Sequence, residues 1–207
     1  MNKEIYTDHS IISWVLEHCK ILRLGLTNQG RSYVVPVNFG YEENSQGKYV
    51  IYIHGTVNGT KGHALDQEDV IGFETDEGFE GLTFAVPTNY SPSFRSVIGT
   101  GKVVRVRDDQ EKLYALKKLL HHYLCDIPGT LSVDQVSKVP VWKIEVDQIT
   151  AKVHNPSAEW QKLMGITASI PKGYHYDKNG ELISVDEDTQ KENHETDANS
   201  GASEKTE

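Results

Sequence analysis

The feature that most limits how this chain can fold is a period of two. Apolar side chains recur at every second position in short runs: Leu22, Leu24 and Leu26, then a turn at Asn28-Gln29-Gly30, then the extended run Tyr33-Val34-Val35-Pro36-Val37. Alternation over such lengths puts one face of an extended segment in a core and the other outside it, so the two runs read as a hairpin. Tyr49 to Ile53 forms a third strand, reached through the polar turn Glu42 to Gly47; Val70 to Glu74 forms a fourth, Ser96 to Val106 a long fifth, and Val141 to Val153 a sixth. Six strands with few helices between them predict a mainly β domain with flanking helices, in which the strands close or nearly close a barrel.

Helical spacing appears in three places. Residues 8 to 19 set Ile11, Ile12, Val15, Leu16 and Cys19 on one face, and residues 61 to 69 supply a short connector. Asp108 to Leu124 begins with Asp108-x-x-Glu111, the spacing of a capping box, and carries Leu113, Leu116, Leu120 and Tyr123 as its expected packing stripe. Beyond residue 155 the pattern weakens. A short helix over Pro156 to Leu163 and a small hairpin about Asp177-Lys178-Asn179-Gly180, from Tyr174-His175-Tyr176 to Val185, are the expectations for an extension over 156–185. From Asp186 to Glu207 there is no aromatic residue and no aliphatic one larger than alanine, but there are eight acids and two lysines. Such a segment buries too little surface to offset its ordering entropy and is expected to be a disordered acidic tail. The domain itself is placed at residues 1–155.

Composition removes several functions. Acids outnumber bases 30 to 21 and the basic residues form no cluster, which argues against a nucleic-acid partner. No run approaches the ~20 apolar residues of a membrane helix, and MNKEIYTDHS lacks the apolar core of a signal peptide, so a cytoplasmic location without membrane contact is expected. Cys19 and Cys125 are far apart, with no CxxC pair, and read as buried thiols. The nine histidines include no HExxH, and no metal site is expected. Gly55-x-x-x-Gly59-x-Lys61-Gly62 misses the spacing of a P-loop, and Gly99-x-Gly101 lacks the third glycine of a dinucleotide fingerprint. No GxSxG elbow is present for a serine hydrolase.

Three segments remain. Val35 to Tyr41 ends one strand, Ile51 to Gly55 ends another, and Gly59-Thr60-Lys61-Gly62 opens a short helix directly after it. A lysine among glycines at a helix N-terminus, with free backbone N–H groups, suits a phosphate. The plainer reading, a solvated lysine in a loop, fits these four residues as well. Asn38 and His54, polar residues at the ends of apolar strands, fit either a site or a satisfied rim.

Taken together, these segments resemble a known family, the FMN-binding split barrels related to pyridoxamine 5′-phosphate oxidase, and within it the nitroimidazole-resistance (Nim-type) branch. The resemblance is carried by Arg31 to Tyr41, Tyr52-Ile53-His54-Gly55 with Gly59-Thr60-Lys61, Phe94-Arg95-Ser96-Val97-Ile98-Gly99-Thr100-Gly101, and Ile144-Glu145-Val146 with Ile149 to Lys152. It implies a six-stranded antiparallel split β-barrel that forms a homodimer with FMN at its interface. By the same resemblance, Lys61 contacts the FMN phosphate and Ser96 lies on the cofactor. The strand ends at Pro36, Val37 and Asn38 and at Ile53 and His54 face the isoalloxazine ring, and Arg95 and Val97 complete the cofactor contacts. His54 is the candidate catalytic residue. In the family an arginine usually precedes the lysine; Thr60 stands here, so Arg95 or Arg31 would have to supply the second cation.

The resemblance makes a flavin-dependent oxidoreductase that takes hydride from NAD(P)H and reduces a small organic acceptor, nitroaromatics included, the leading expectation. Two alternatives stay open: a non-catalytic binder of flavin or haem, and a dimeric interaction module. True pyridoxamine 5′-phosphate oxidase activity is disfavoured, because the chain after Lys152 lacks that enzyme's substrate-binding arginine and histidine pattern.

Overall fold

The computed structural model describes residues 5–82, 91–124, 129–154, 174–176 and 182–184. The expected helix at Pro156 to Leu163, the Asn179-Gly180 turn, the acidic tail and Cys125 lie outside them. The chain divides into two compact units, Met1–Ile166 and Thr167–Glu207.

In the first unit the elements are β1 (Ile5–Tyr6), α1 (His9–His18), β2 (Leu22–Asn28), β3 (Arg31–Val37), β4 (Gly40–Glu43), β5 (Tyr49–His54), α2 (Thr60–Gln67), β6 (Val70–Leu82), β7 (Ser91–Val106), α3 (Asp109–Tyr123), α4 (Val133–Val136) and β8 (Val141–His154). The strands form one sheet in the order β3-β2-β6-β7-β8-β5-β4, with β1 added on β8. All its pairings are antiparallel. The β2–β3 hairpin turns on Gln29 and Gly30, at φ 51° and 73°. Two successive left-handed residues match the twist of the flanking strands, and glycine carries the second at no steric cost.

β3 and β4 are consecutive in the chain yet occupy opposite margins of the sheet. Only Asn38 and Phe39 separate Val37 from Gly40. Three residue steps reach roughly 10 Å, so the sheet has to curl until its margins approach. No ladder joins β3 to β4, which makes the molecule a split barrel rather than a closed one. The curl is also staggered. Around one side Pro36 lies level with Ile98, through Arg23 and Glu74; around the other, Gly40 lies level with Val104, through Tyr52 and Lys143. A barrel can close only with such a shear.

Inward-facing positions fill the barrel: Leu22, Leu24, Ile51, Ile53, Val97, Trp142 and Ile144 are essentially inaccessible. Helix α1 packs into the same core with the five residues expected from the sequence, and burial pushes the Cys19 thiol up to about 11. The Trp142 Nε1 donates to Asp66 Oδ1 at 2.8 Å, which anchors α2 to β8 and satisfies the one polar atom of the largest core side chain.

A second, smaller core of Tyr52, Val106, Ala115, Leu119 and Val141 lies beneath α3. Here the expectation needs correction. Ala115, Leu119 and His122 are buried, whereas Tyr123 is exposed and Leu113 and Leu120 are only partly covered. The helix turns its small side inward because β4 comes so close: a methyl group at Gly40 would stand 2.5 Å from Leu119 N. The N-cap is as expected, with Asp108 Oδ1 accepting from Glu111 N at 2.8 Å, but the Glu111 carboxylate accepts from Lys143 instead of completing a box.

The sheet holds more than the six expected strands. β1 and β4, of two and four residues, are too short to show a period. β6 runs past Glu74 to Leu82 and β7 begins at Ser91, across a bulge between Glu77 and Glu80 where Gly78 has φ 70°. In the second unit Tyr174–Tyr176 and Leu182–Ser184 pair antiparallel, as the hairpin expectation required.

Gly40→Ala is expected to cost about 1–3 kcal/mol of unfolding free energy by overpacking against the backbone of α3, read by urea denaturation. An unchanged midpoint would show that α3 is not seated as described.

Candidate functional site

Strand β5 ends at His54, and the loop from Gly55 to Gly59 returns the chain into α2. This loop lies on the first turn of the helix, since a methyl group at Gly62 would meet Thr56 O at 2.2 Å. The tight return points the start of α2 back at the end of β5. Lys61 then lies across Gly55, its Nζ donating to His54 O at 2.9 Å; a methyl group at Gly55 would stand 2.7 Å from that ammonium.

The helix begins at Gly59 with no side-chain cap and no acidic residue in its first turn. Its leading N–H groups and its dipole are therefore free of a built-in anion. Burial lowers the Lys61 pKa. The His54 pKa is lowered too, first by burial and then by the positive charge of Lys61. Both groups are poised for an arriving anion, which would stabilise the lysine's charge and relieve the histidine.

Asn38 belongs to the same end of the barrel. Gly40 pairs with Tyr52; Asn38 lies two residues before the one and His54 two residues after the other. Asn38 and Pro36 are exposed, while Val37 and Ile53 face the core and can offer a ligand only their backbone. Pro36, Val37 and Asn38 end one margin of the sheet at the open seam, and Ile53 and His54, with Lys61 over them, end β5 next to the other.

Ser96, Val97 and Arg95 lie elsewhere in the chain. Ser96 is on the outer face of β7, level with Asp76 and Lys152, and Val97 is fully buried. The Arg95 guanidinium is directed inward, donating from Nη2 to Glu77 Oε1 at 2.7 Å and stacking 4.1 Å above the Trp14 ring. It has partners of its own, Glu77 and Trp14. Arg31 is exposed at the tip of the β2–β3 hairpin.

One feature escaped the sequence reading. On the outer face, a row of neighbours runs Val34, Gly25, Gly72, Thr100, and the next row runs Pro36, Arg23, Glu74, Ile98, with Arg23 donating to Glu74 at 3.0 Å. Val34 and Ile98 are 64% and 56% exposed. A side chain at Gly72 would meet nothing within 4 Å, and one at Gly25 only Gly72 O at 3.6 Å. Among the described residues no packing requires these glycines, so they leave a flat strip, bordered by the Arg23–Glu74 pair, open to a ligand or a second backbone. Glycines at 25 and 72 inside strand patterns were the available signal. A depression of about 440 Å³ beside α3, lined by Tyr114, Lys117, Lys118, His121 and residues 129–131, shares no residue with the seam or the strip.

Among the described residues, no helix is long and apolar enough to cross a membrane. A model of the family described as pyridoxamine 5′-phosphate oxidase matches residues 8–153. Among solved structures, the chain is similar to a candidate 5-nitroimidazole antibiotic resistance protein of Bacteroides thetaiotaomicron, with 31% identity, coverage of 72% of this chain and 86% of that one, and a TM-score of 0.61. A flavocytochrome of Azotobacter vinelandii shares 19% identity over 74% of this chain and 70% of its own, with a TM-score of 0.60. An FAD- and haem-binding protein of Mycobacterium smegmatis shares 15% over 80% and 82%, with a TM-score of 0.63. These last two likenesses speak for the fold alone. No curated protein matches the chain. With its first unit matched from residue 8 to 153 and its split barrel common to all three structures, the chain belongs to the pyridoxamine 5′-phosphate oxidase family.

Proposed function

We propose that the protein binds FMN at the seam, as a homodimer, and uses it to reduce a small organic acceptor with NAD(P)H as hydride source. The observation that carries this reading is Lys61: a half-buried ammonium beside an uncapped, acid-free helix N-terminus, next to the open end of two strands. The residues present fit FMN. Lys61 and the first N–H groups of α2 would hold its phosphate, and main-chain groups at Val37, Asn38 and Ile53 would meet the polar edge of its ring. The flavin, when bound, supplies two-electron hydride chemistry.

The chain's own residues do the rest. His54 is tuned toward the neutral imidazole, so that one ring nitrogen donates and the other accepts; once protonated, it is a stronger acid than free imidazole. The strip over Gly25 and Gly72 offers a second copy a flat face edged by the Arg23–Glu74 pair, and two copies joined there would shield the ring from water. Membership of the pyridoxamine 5′-phosphate oxidase family supports flavin binding, and the likeness to the Bacteroides nitroimidazole-resistance protein supports a nitroaromatic acceptor. His54, exposed at the seam, would equally suit haem iron. A haem protein would show a single intense Soret band in place of the two visible bands of flavin.

Lys61→Ala is expected to weaken FMN binding by on the order of 1.5–3 kcal/mol, the loss of a charged hydrogen bond, as read by quenching of flavin fluorescence. An unchanged dissociation constant would remove Lys61 from the phosphate seat. In a proton NMR titration of the free protein, His54 should show its midpoint below the ordinary imidazole value, with the neutral form favouring the fold above that value and the contribution lost as pH falls. Adding FMN should raise this midpoint, because the phosphate offsets the Lys61 charge. A midpoint unmoved by FMN would separate the two groups.

A further inference from the structure

Among the buried titratable side chains of the described residues to which the proposed function gives no role is His122, on the inner side of α3. Both its ring nitrogens meet main-chain carbonyls, Nδ1 at 2.7 Å from Phe39 O and Nε2 at 3.0 Å from Leu16 O. The rings of Phe39 and Tyr41 stand edge-on to it, with centroids 4.4 and 5.5 Å away. A neutral imidazole has one N–H, so the two bonds form together only on the doubly protonated ring. The charged groups around it engage other atoms. Lys20 Nζ donates to the carbonyls of His122 and Glu17, and the Glu17 carboxylate accepts from Tyr41 Oη.

What this ring holds is the link between the two margins of the sheet. Phe39 is fully buried and its carbonyl is taken by His122; the next residue, Gly40, abuts the backbone of α3. With Phe39 secured by ring, carbonyl and following Cα, little freedom remains for Asn38, the residue before it. Leu16 O, near the end of α1, ties the same ring to a third element.

We propose that His122 is a positioning residue for the flavin seat: by donating to Phe39 O and Leu16 O at once, it locks the seam against α1 and α3 and orients Asn38 beside His54. Its purpose rests on the flavin reading; its geometry does not.

His122→Phe keeps an aromatic ring against Phe39 and Tyr41 but removes both donors, and His122→Gln restores an amide donor. The first readout needs no flavin. Amide exchange at Gly40 and Tyr41, the first pairs of β4, should quicken about tenfold or more in His122→Phe, while β6 to β8 keep their protection. The second is FMN affinity, expected to fall about tenfold in His122→Phe with altered visible bands of the bound flavin, and to recover in part in His122→Gln. Unchanged exchange in a folded His122→Phe variant overturns the proposal, and so does faster exchange with flavin affinity and spectrum untouched. A wild-type chain that takes up no FMN overturns the flavin reading instead, and the exchange result still decides whether the lock exists. Should His122→Phe fail to fold, ring-nitrogen NMR of the wild type decides: two protonated nitrogens are expected, and one bare nitrogen overturns the double-donor lock.

Discussion

Asn38 and Phe39 have to carry the chain from one margin of the sheet to the other, a reach of roughly 10 Å from Val37 to Gly40. Much of the first unit follows from that short link. The sheet curls, the strands stagger to let it curl, and the inward positions of β2, β5, β6, β7 and β8 converge into a single core plugged by α1. The same link leaves a gap, because two residues can join the margins but cannot pair them. Helix α3 closes over this region from outside, with Gly40 pressed to its backbone and His122 holding the Phe39 carbonyl.

The gap is also where chemistry gathers. Strand ends bring main-chain groups that lack a neighbouring strand, and the return from β5 to α2 sets a helix N-terminus and a lysine beside them. Half burying an ammonium costs solvation, which one carbonyl bond to His54 offsets only in part. An anion with several acceptor oxygens would complete the arrangement, and the absence of any acid from the first turn of α2 leaves room for it. On this account the phosphate-bearing ligand is the counterpart of an electrostatic arrangement already built into the fold.

Much of the architecture was legible in the chain because β2 alternates cleanly and the other long strands alternate over part of their length. The turn at Asn28-Gln29-Gly30 and the cap at Asp108 work through local backbone chemistry that residue identity states directly. The α3 stripe misled for a tertiary reason: Leu113 and Leu120 look more apolar than Ala115 and His122, but close approach to Gly40 favours a small side, and a histidine with two carbonyl partners tolerates burial. The extensions of β6 and β7 hid behind Asp76, Glu77 and Glu80, whose polarity masks a strand that runs through a bulge. Lys61, His54 and Asn38 sit at the strand and helix ends that residue order alone assigns them. The environment of Arg95 was not legible, since nothing local announces that Trp14 and Glu77 will draw it inward.

The most direct test is the visible spectrum and FMN uptake of the intact wild-type protein. The account predicts two-banded flavin absorption in the purified protein, or after reconstitution with FMN, at one FMN per chain and in a species with the mass of a dimer. A colourless chain that stays monomeric and takes up no added FMN would contradict it.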